Sequence, residues 1–236
     1  MSRLWQGVKI QYLYAKPGFT VFWGIILGIM VVQYLGFFYF FPMGNVEVKS
    51  VAGGHIVAVI IYMGIATGMQ CWETLPYALN LGNTRREFWL GCAVFNCLYA
   101  LVMAAILVGL SLLELAAYAA LGLEHQWMGE AGARQVFTHL MVDFAVIAAV
   151  VAGVFLAVML GYRFGWKPFL IMAAGIISSF KLFPAWGQAL GKLIGYSILV
   201  TFGRGTPWPF IGWMCVLTAI CYLLAYPLVR GSQVKS

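Results

Sequence analysis

The stretch Glu73-Thr74-Leu75-Pro76-Tyr77-Ala78-Leu79-Asn80-Leu81-Gly82-Asn83-Thr84-Arg85-Arg86-Glu87 is a short polar elbow wedged between two long apolar runs. Those runs decide the fold. The first covers about 53 to 73 and the second runs from near Arg86 through Leu113, each meeting the roughly 20 residues that a bilayer core demands. A turn pinned between two such runs stands at a membrane surface, and two adjacent arginines in it call for a physical reason.

Composition agrees with the elbow's setting. Of the 236 residues, 63% are hydrophobic, 16% aromatic and 9% charged, and the mean hydropathy is +0.92. Such a chain is a polytopic membrane protein. A closed outer-membrane barrel would show roughly ten-residue alternating segments, whereas these runs are continuously apolar, so the expectation is an all-α integral membrane fold. Subtracting the spans leaves no stretch long enough for a folded soluble domain. Residues 1–236 are therefore expected to form a single transmembrane domain, with any soluble engine supplied by another chain.

Working outward, six spans are expected, at about 18–41, 53–73, 86–113 with a weaker continuation to 123, 136–162, 168–186 and 207–229. Residues 1–17 set Arg3, Lys9 and Lys16 against Leu4, Trp5, Val8, Ile10, Tyr12 and Leu13, the pattern of an amphipathic interfacial helix. Leu193 to Gly203 is apolar but only half a span, flanked by Lys192 and Arg204. It is expected to be a re-entrant or interfacial piece before the last span.

Lysine and arginine accumulate on the cytoplasmic side of short loops. With both termini inside, Arg3, Lys9, Lys16, Arg85, Arg86, Arg163, Lys167, Arg230 and Lys235 lie inside, nine against the five of Lys49, Arg134, Lys181, Lys192 and Arg204. The net charge of +7 is scattered along membrane edges and not gathered on one soluble face, so it points to orientation and anionic lipid, not nucleic acid. Cys71, Cys92, Cys97, Cys215 and Cys221 form no C-x-x-C pair and are expected to be small packing residues.

Within the elbow, Thr74 with Pro76 two residues on has the form of a helix start, Gly82 that of a left-handed helix end, and Thr84 with Glu87 that of a capping box. This yields a compact knob, residues 74–87, presenting Leu79, Leu81, Asn83, Arg85 and Arg86 on the cytoplasmic surface. From the residues alone, it is either a docking surface or an ordinary loop whose arginines enforce topology.

The run from Leu75 to Gly91, preceded by Glu73, resembles the coupling region of ABC type-2 permeases, which carry a Gly-x-Thr-Arg-Arg-x-Phe core. Gly82, Thr84, Arg85, Arg86, Phe88 and Gly91 sit at the matching positions. The resemblance extends to the basic N-terminal helix, the six spans and the partly inserted piece before the last one. It implies a permease subunit in a bacterial cell membrane that pairs with a second copy and docks a separate ATP-binding cassette ATPase. ATP and magnesium would be held on that partner. The implied contact is Leu79, Asn80, Leu81, Gly82, Asn83, Thr84, Arg85, Arg86 and Glu87, and the implied cargo is an amphipathic peptide, a drug or a lipid-like molecule moved outward.

Other polar residues bear on rival readings. Gly187 to Leu193 has the wrong glycine spacing for a phosphate-gripping loop and lacks the Ser or Thr after its lysine, so no ATP hydrolysis is expected on this chain. With Asp143 the single aspartate, neither a multi-aspartate metal site nor a paired-aspartate protease can be built. That weakens the reading as a membrane-embedded enzyme. An ATP-independent transporter or channel is the remaining alternative. Glu114 and Lys181 are expensive at membrane depth; they line a substrate path or dimer seam, or snorkel to the interface. Tyr34, Phe37 and Phe38 belong to an aromatic crowd at the outer end of the first span, either an interface belt or a lateral portal for greasy cargo. His139 and Asp143 share a helix face, as a metal or proton site or as an ordinary hydrogen-bonded pair. Gly24 and Gly28 form a small-residue packing face.

Overall fold

The computed structural model describes residues 3–40, 54–120, 132–165 and 207–231. Among these there is helix and no strand: α1 (Arg3–Phe40), α2 (Ile56–Asn80), α3 (Arg85–Ala120), α4 (Ala133–Phe164) and α5 (Trp208–Arg230). All five are long and apolar enough to cross a membrane. In lipid a helix satisfies its own backbone, which is why continuous apolar runs take this form. They correspond to five of the six expected spans; 168–186 and the half-span 193–203 lie outside the described residues.

Ring contacts fix the directions. Phe22 of α1 stacks on Tyr62 of α2 at 4.2 Å, and Tyr34 meets Tyr118 near the far end of α3 at 6.5 Å. Thus α1 and α3 run parallel, α2 runs against both, and the α1 N-terminus shares a face with the elbow. Phe137 near the start of α4 lies 6.4 Å from Trp208 at the start of α5, while Arg163 in the last turn of α4 bonds to Pro227 near the end of α5. These two helices are parallel neighbours, so the chain leaves α4 on the elbow face and enters α5 on the other.

Among the described residues two large apolar cores stack along the bundle, with a small third cluster of Val142 and Phe210 between α4 and α5. Trp23, Ile26, Met63, Met103 and Val151 belong to one, drawn from α1 to α4. Leu75, Phe88, Phe155, Met159 and Ala225 belong to the other, nearer the elbow and drawn from α2 to α5. Half of the most apolar stretch of α4 is buried, against 17% in α1 and α5, which makes α4 the central helix. Gly64 and Gly68 of α2 face Val154 and Val158 of α4, a small-residue contact that lets the helices approach closely. Gly24 and Gly28, expected to pack a neighbour, have nothing within 4 Å of their would-be β-carbons among the described residues.

Two sequence expectations need correction. Residues 3–17 are not a separate interfacial helix: α1 is one rod of 38 residues through Pro17. Its first turns pack into the bundle, where Gly7 lies backbone to backbone against Gly91 of α3 and Val8 and Gln11 are buried. A β-carbon on Gly91 would lie 3.5 Å from Gly7, an ordinary contact, so the two backbones approach closely with room for no more than a small side chain.

Thr74 also departs from the sequence expectation. No helix begins there, because α2 continues through Thr74 and Pro76 to Asn80. Thr74 is buried and its hydroxyl donates to the Gln70 carbonyl at 2.6 Å. The same oxygen accepts from Gln11 Nε2 at 3.1 Å, and that amide also reaches Cys92 Sγ at 3.1 Å. Gln70 Nε2 in turn donates to Gln11 Oε1. One side chain of α1 thereby joins α2 and α3, with Gln11, Gln70 and Thr74 all at most 3% exposed. A buried amide left without partners costs about 1–3 kcal/mol, so the network fixes the register of α1. Replacing Gln11 by Ala strands the Gln70 amide and the Thr74 lone pair. We expect a loss of about 1–2 kcal/mol in denaturant unfolding in mixed micelles, whereas exposed Gln6→Ala should be neutral.

Candidate functional site

The elbow is built from the end of α2, two linking turns and the start of α3. At the end of α2, the Asn83 N–H donates to the Ala78 carbonyl at 3.1 Å and the Gly82 N–H to Leu79 at 3.0 Å. This pair of bonds needs a left-handed residue, and Gly82 supplies it at φ +80°. The next helix starts on a reciprocal cap. The Thr84 N–H donates to Glu87 Oε2 at 2.7 Å, and the Glu87 N–H to Thr84 Oγ1 at 3.2 Å. Both expected signals, the glycine stop and the capping box, are present, so the turn is tied at each end.

The sequence-derived set divides by environment. Asn80, Leu81, Gly82, Thr84 and Arg86 are exposed, with Leu81 at 57%. Leu79 is half-buried against the elbow-side core, Asn83 is buried, and Arg85 and Glu87 are half-buried. Tyr77, absent from that set, stands exposed one turn before Leu81. The outward surface therefore combines two apolar side chains, Tyr77 and Leu81, with an amide and a guanidinium from Asn80 and Arg86.

Arg85 has a different environment. Its Nη1 donates to the Arg230 carbonyl at 2.9 Å, across 145 residues of sequence. Arg163 Nη1 donates to the Pro227 carbonyl at 3.2 Å, and its guanidinium lies against Gly231. One turn into α3, Trp89 Nε1 donates to the Tyr222 carbonyl at 3.1 Å, while its ring meets Tyr226 at 5.2 Å. The last carbonyls of a helix have no partner in their own ladder and carry partial negative charge. Arg85 gives the Arg230 carbonyl a donor, Arg163 adds a second to the Pro227 carbonyl, which also accepts from the Gly231 N–H, and both guanidiniums bring positive charge to the end of α5. The elbow, the end of α4 and the end of α5 thus form one hydrogen-bonded platform. Close by, the Tyr14 hydroxyl of α1 donates to Glu73 Oε2 at 2.6 Å.

Of the residues read as a substrate path, the described ones lie toward the opposite face. Glu114 is buried at 4% exposure, which answers the sequence question for this residue: it faces the bundle and does not snorkel. Tyr34, Tyr118 and His55 surround its carboxylate. Phe37 and Phe38 stand in the last turns of α1, and Lys181 lies outside the described residues. His139 and Asp143 are half-buried on α4; among the described residues no three His, Cys, Asp or Glu side chains gather to hold a metal ion. All five cysteines are free thiols. Three of them, Cys71, Cys92 and Cys221, pack in the elbow-side core.

Comparisons with protein-family models, with curated proteins and with solved structures find no match for this chain. Removing the Arg85 side chain frees the Arg230 carbonyl and one cation at the end of α5. Arg85→Ala should raise amide hydrogen exchange in the last turn of α5 by roughly fivefold, the equivalent of about 1 kcal/mol at a helix terminus. Arg86→Ala should leave that exchange unchanged.

Proposed function

We propose that this chain is the membrane-spanning permease subunit of an ATP-driven ABC exporter in a bacterial cell membrane. It works as a pair of copies with two separate ATP-binding cassette ATPases, and it moves amphipathic peptides, drugs or lipid-like molecules outward. The observation that carries this reading is the elbow. An exposed patch of Tyr77, Asn80, Leu81 and Arg86 rides on a turn whose two ends are capped, and that turn is bonded to the ends of α4 and α5. A partner pressing on such a knob moves several spans together, which is what coupling nucleotide-driven motion to a membrane bundle requires.

Topology supports the same reading. Helix α4 ends on the elbow face and α5 starts on the opposite one, and six spans with both termini on the elbow face is the solution we adopt. The N-terminal cations, Arg85, Arg86, Arg163 and Arg230 then share the cytoplasmic face. Gly24 and Gly28 sit on an exposed face of α1 with Val21, Ile25 and Val32, suited to close approach of a second copy. An ATP-independent transporter is the second reading. The buried Glu114 beside His55 favours it, because intramembrane carboxylates mark ion and proton paths.

The test is assembly with a cassette ATPase co-expressed with the permease. Leu81→Asp with Arg86→Glu reverses the charge and polarity of the outward patch while sparing the Arg85 bond. Co-purification of the ATPase should fall at least tenfold, a loss of about 1.4 kcal/mol or more, with the permease still folded. Undiminished assembly, or transport that persists without ATPase and follows a proton gradient, selects the second reading.

A further inference from the structure

An open groove of about 540 Å³ runs between α1 and α3, within the range of small-molecule and lipid-chain sites. Its composition changes along its length. Trp5, Lys9, Tyr12 and Lys16 of α1 line the end toward the elbow face, and Phe19 with Tyr99 and Val102 of α3 continues it into the bundle's apolar zone. No acidic side chain lines it.

The geometry of α1 directs the two lysines. They are two turns apart and share one face of the helix, both exposed. Side chains on a helix lean toward its N-terminus, and the N-terminus of α1 lies on the elbow face. Each lysine therefore lays its stem along the groove wall and carries its ammonium toward the membrane edge. The nearby acid Glu73 is engaged with Tyr14. The groove thus places positive charge at the membrane edge and bare hydrocarbon and aromatic surface deeper in.

We propose that this groove is a binding site for an acidic phospholipid of the leaflet on the elbow face, its phosphate on Lys9 and Lys16 and an acyl chain against Phe19, Tyr99 and Val102. The match is one of charge and polarity: an anionic head and a hydrocarbon tail reproduce the groove's own gradient. A second copy of the chain is the less suitable occupant. A two-fold contact through this groove would set the cations of one copy against those of the other. The assignment is independent of the ATPase reading, since it needs only the membrane setting of α1 and α3.

The experiment uses the purified full-length protein in nanodiscs of equimolar phosphatidylcholine and phosphatidylglycerol, with native mass spectrometry counting the lipids retained on release. The wild type should keep phosphatidylglycerol over phosphatidylcholine by roughly fivefold for each lysine engaged, the equivalent of about 1 kcal/mol per cation near an anionic surface. Lys9→Gln with Lys16→Gln should abolish the preference, and Lys9→Arg with Lys16→Arg should keep it. Val102→Trp, which fills the deep end and leaves both charges in place, should release the lipid as well; it also serves if the glutamine pair does not fold. Equal retention of the two lipids by the wild type overturns the proposal. So does an unchanged preference in the glutamine pair or in Val102→Trp, or a disulfide through Val102→Cys joining two copies in native membranes.

Discussion

Buried between three helices, the amide of Gln11 has no water to bond with, and everything at the elbow end of this bundle follows from where its partners are. Gln70, Thr74 and Cys92 take up its donors and acceptor, so the first helix is locked to the second and third at one depth and in one rotation. A neutral amide suits this role because it carries two donors and an acceptor without the desolvation cost of a charge. With α1 held there, Gly7 meets Gly91 and Tyr14 reaches Glu73. The first turns of α1 become part of the bundle and do not float at the interface.

The same demand for internal partners explains the platform at the elbow. At the end of α5, Arg85 gives the Arg230 carbonyl a donor, and Arg163 and Trp89 add bonds to the Pro227 and Tyr222 carbonyls from two other helices. The arginine pair therefore divides its roles. Arg85 turns inward and joins the turn to the last described helix, while Arg86 is exposed. Under the permease reading, force delivered at Leu81 and Arg86 passes through bonded contacts to α4 and α5, and through the Gln11 network to α1. A loose loop would absorb that force.

How much of this was legible in the sequence depended on the range of the interaction. Five apolar spans, the left-handed stop at Gly82 and the Thr84–Glu87 cap depend on neighbours a few residues away, and local patterns revealed them. Thr74 and Pro76 show the limit of that approach. Their spacing has the form of a helix start, yet Gln11, 63 residues distant, and the core around Leu75 and Ala78 hold the helix on course. Arg85 finds its carbonyl 145 residues away, which no local pattern could disclose. The small-residue contact fell on Gly64 and Gly68 although Gly24 and Gly28 have the same spacing, because spacing names a face and not its neighbour. Glu114 could be seen as costly in the sequence; only the fold shows that it is buried beside Tyr34 and His55.

The account stands on the elbow being a cytoplasmic knob, and sidedness tests that most directly. A single reactive cysteine at Leu81, introduced with the native cysteines replaced by serine or alanine, is exposed to a membrane-impermeant maleimide in oriented vesicles. The account predicts labelling in inverted vesicles and protection in right-side-out ones. Labelling from the external face would contradict it, together with the ATPase docking built on it.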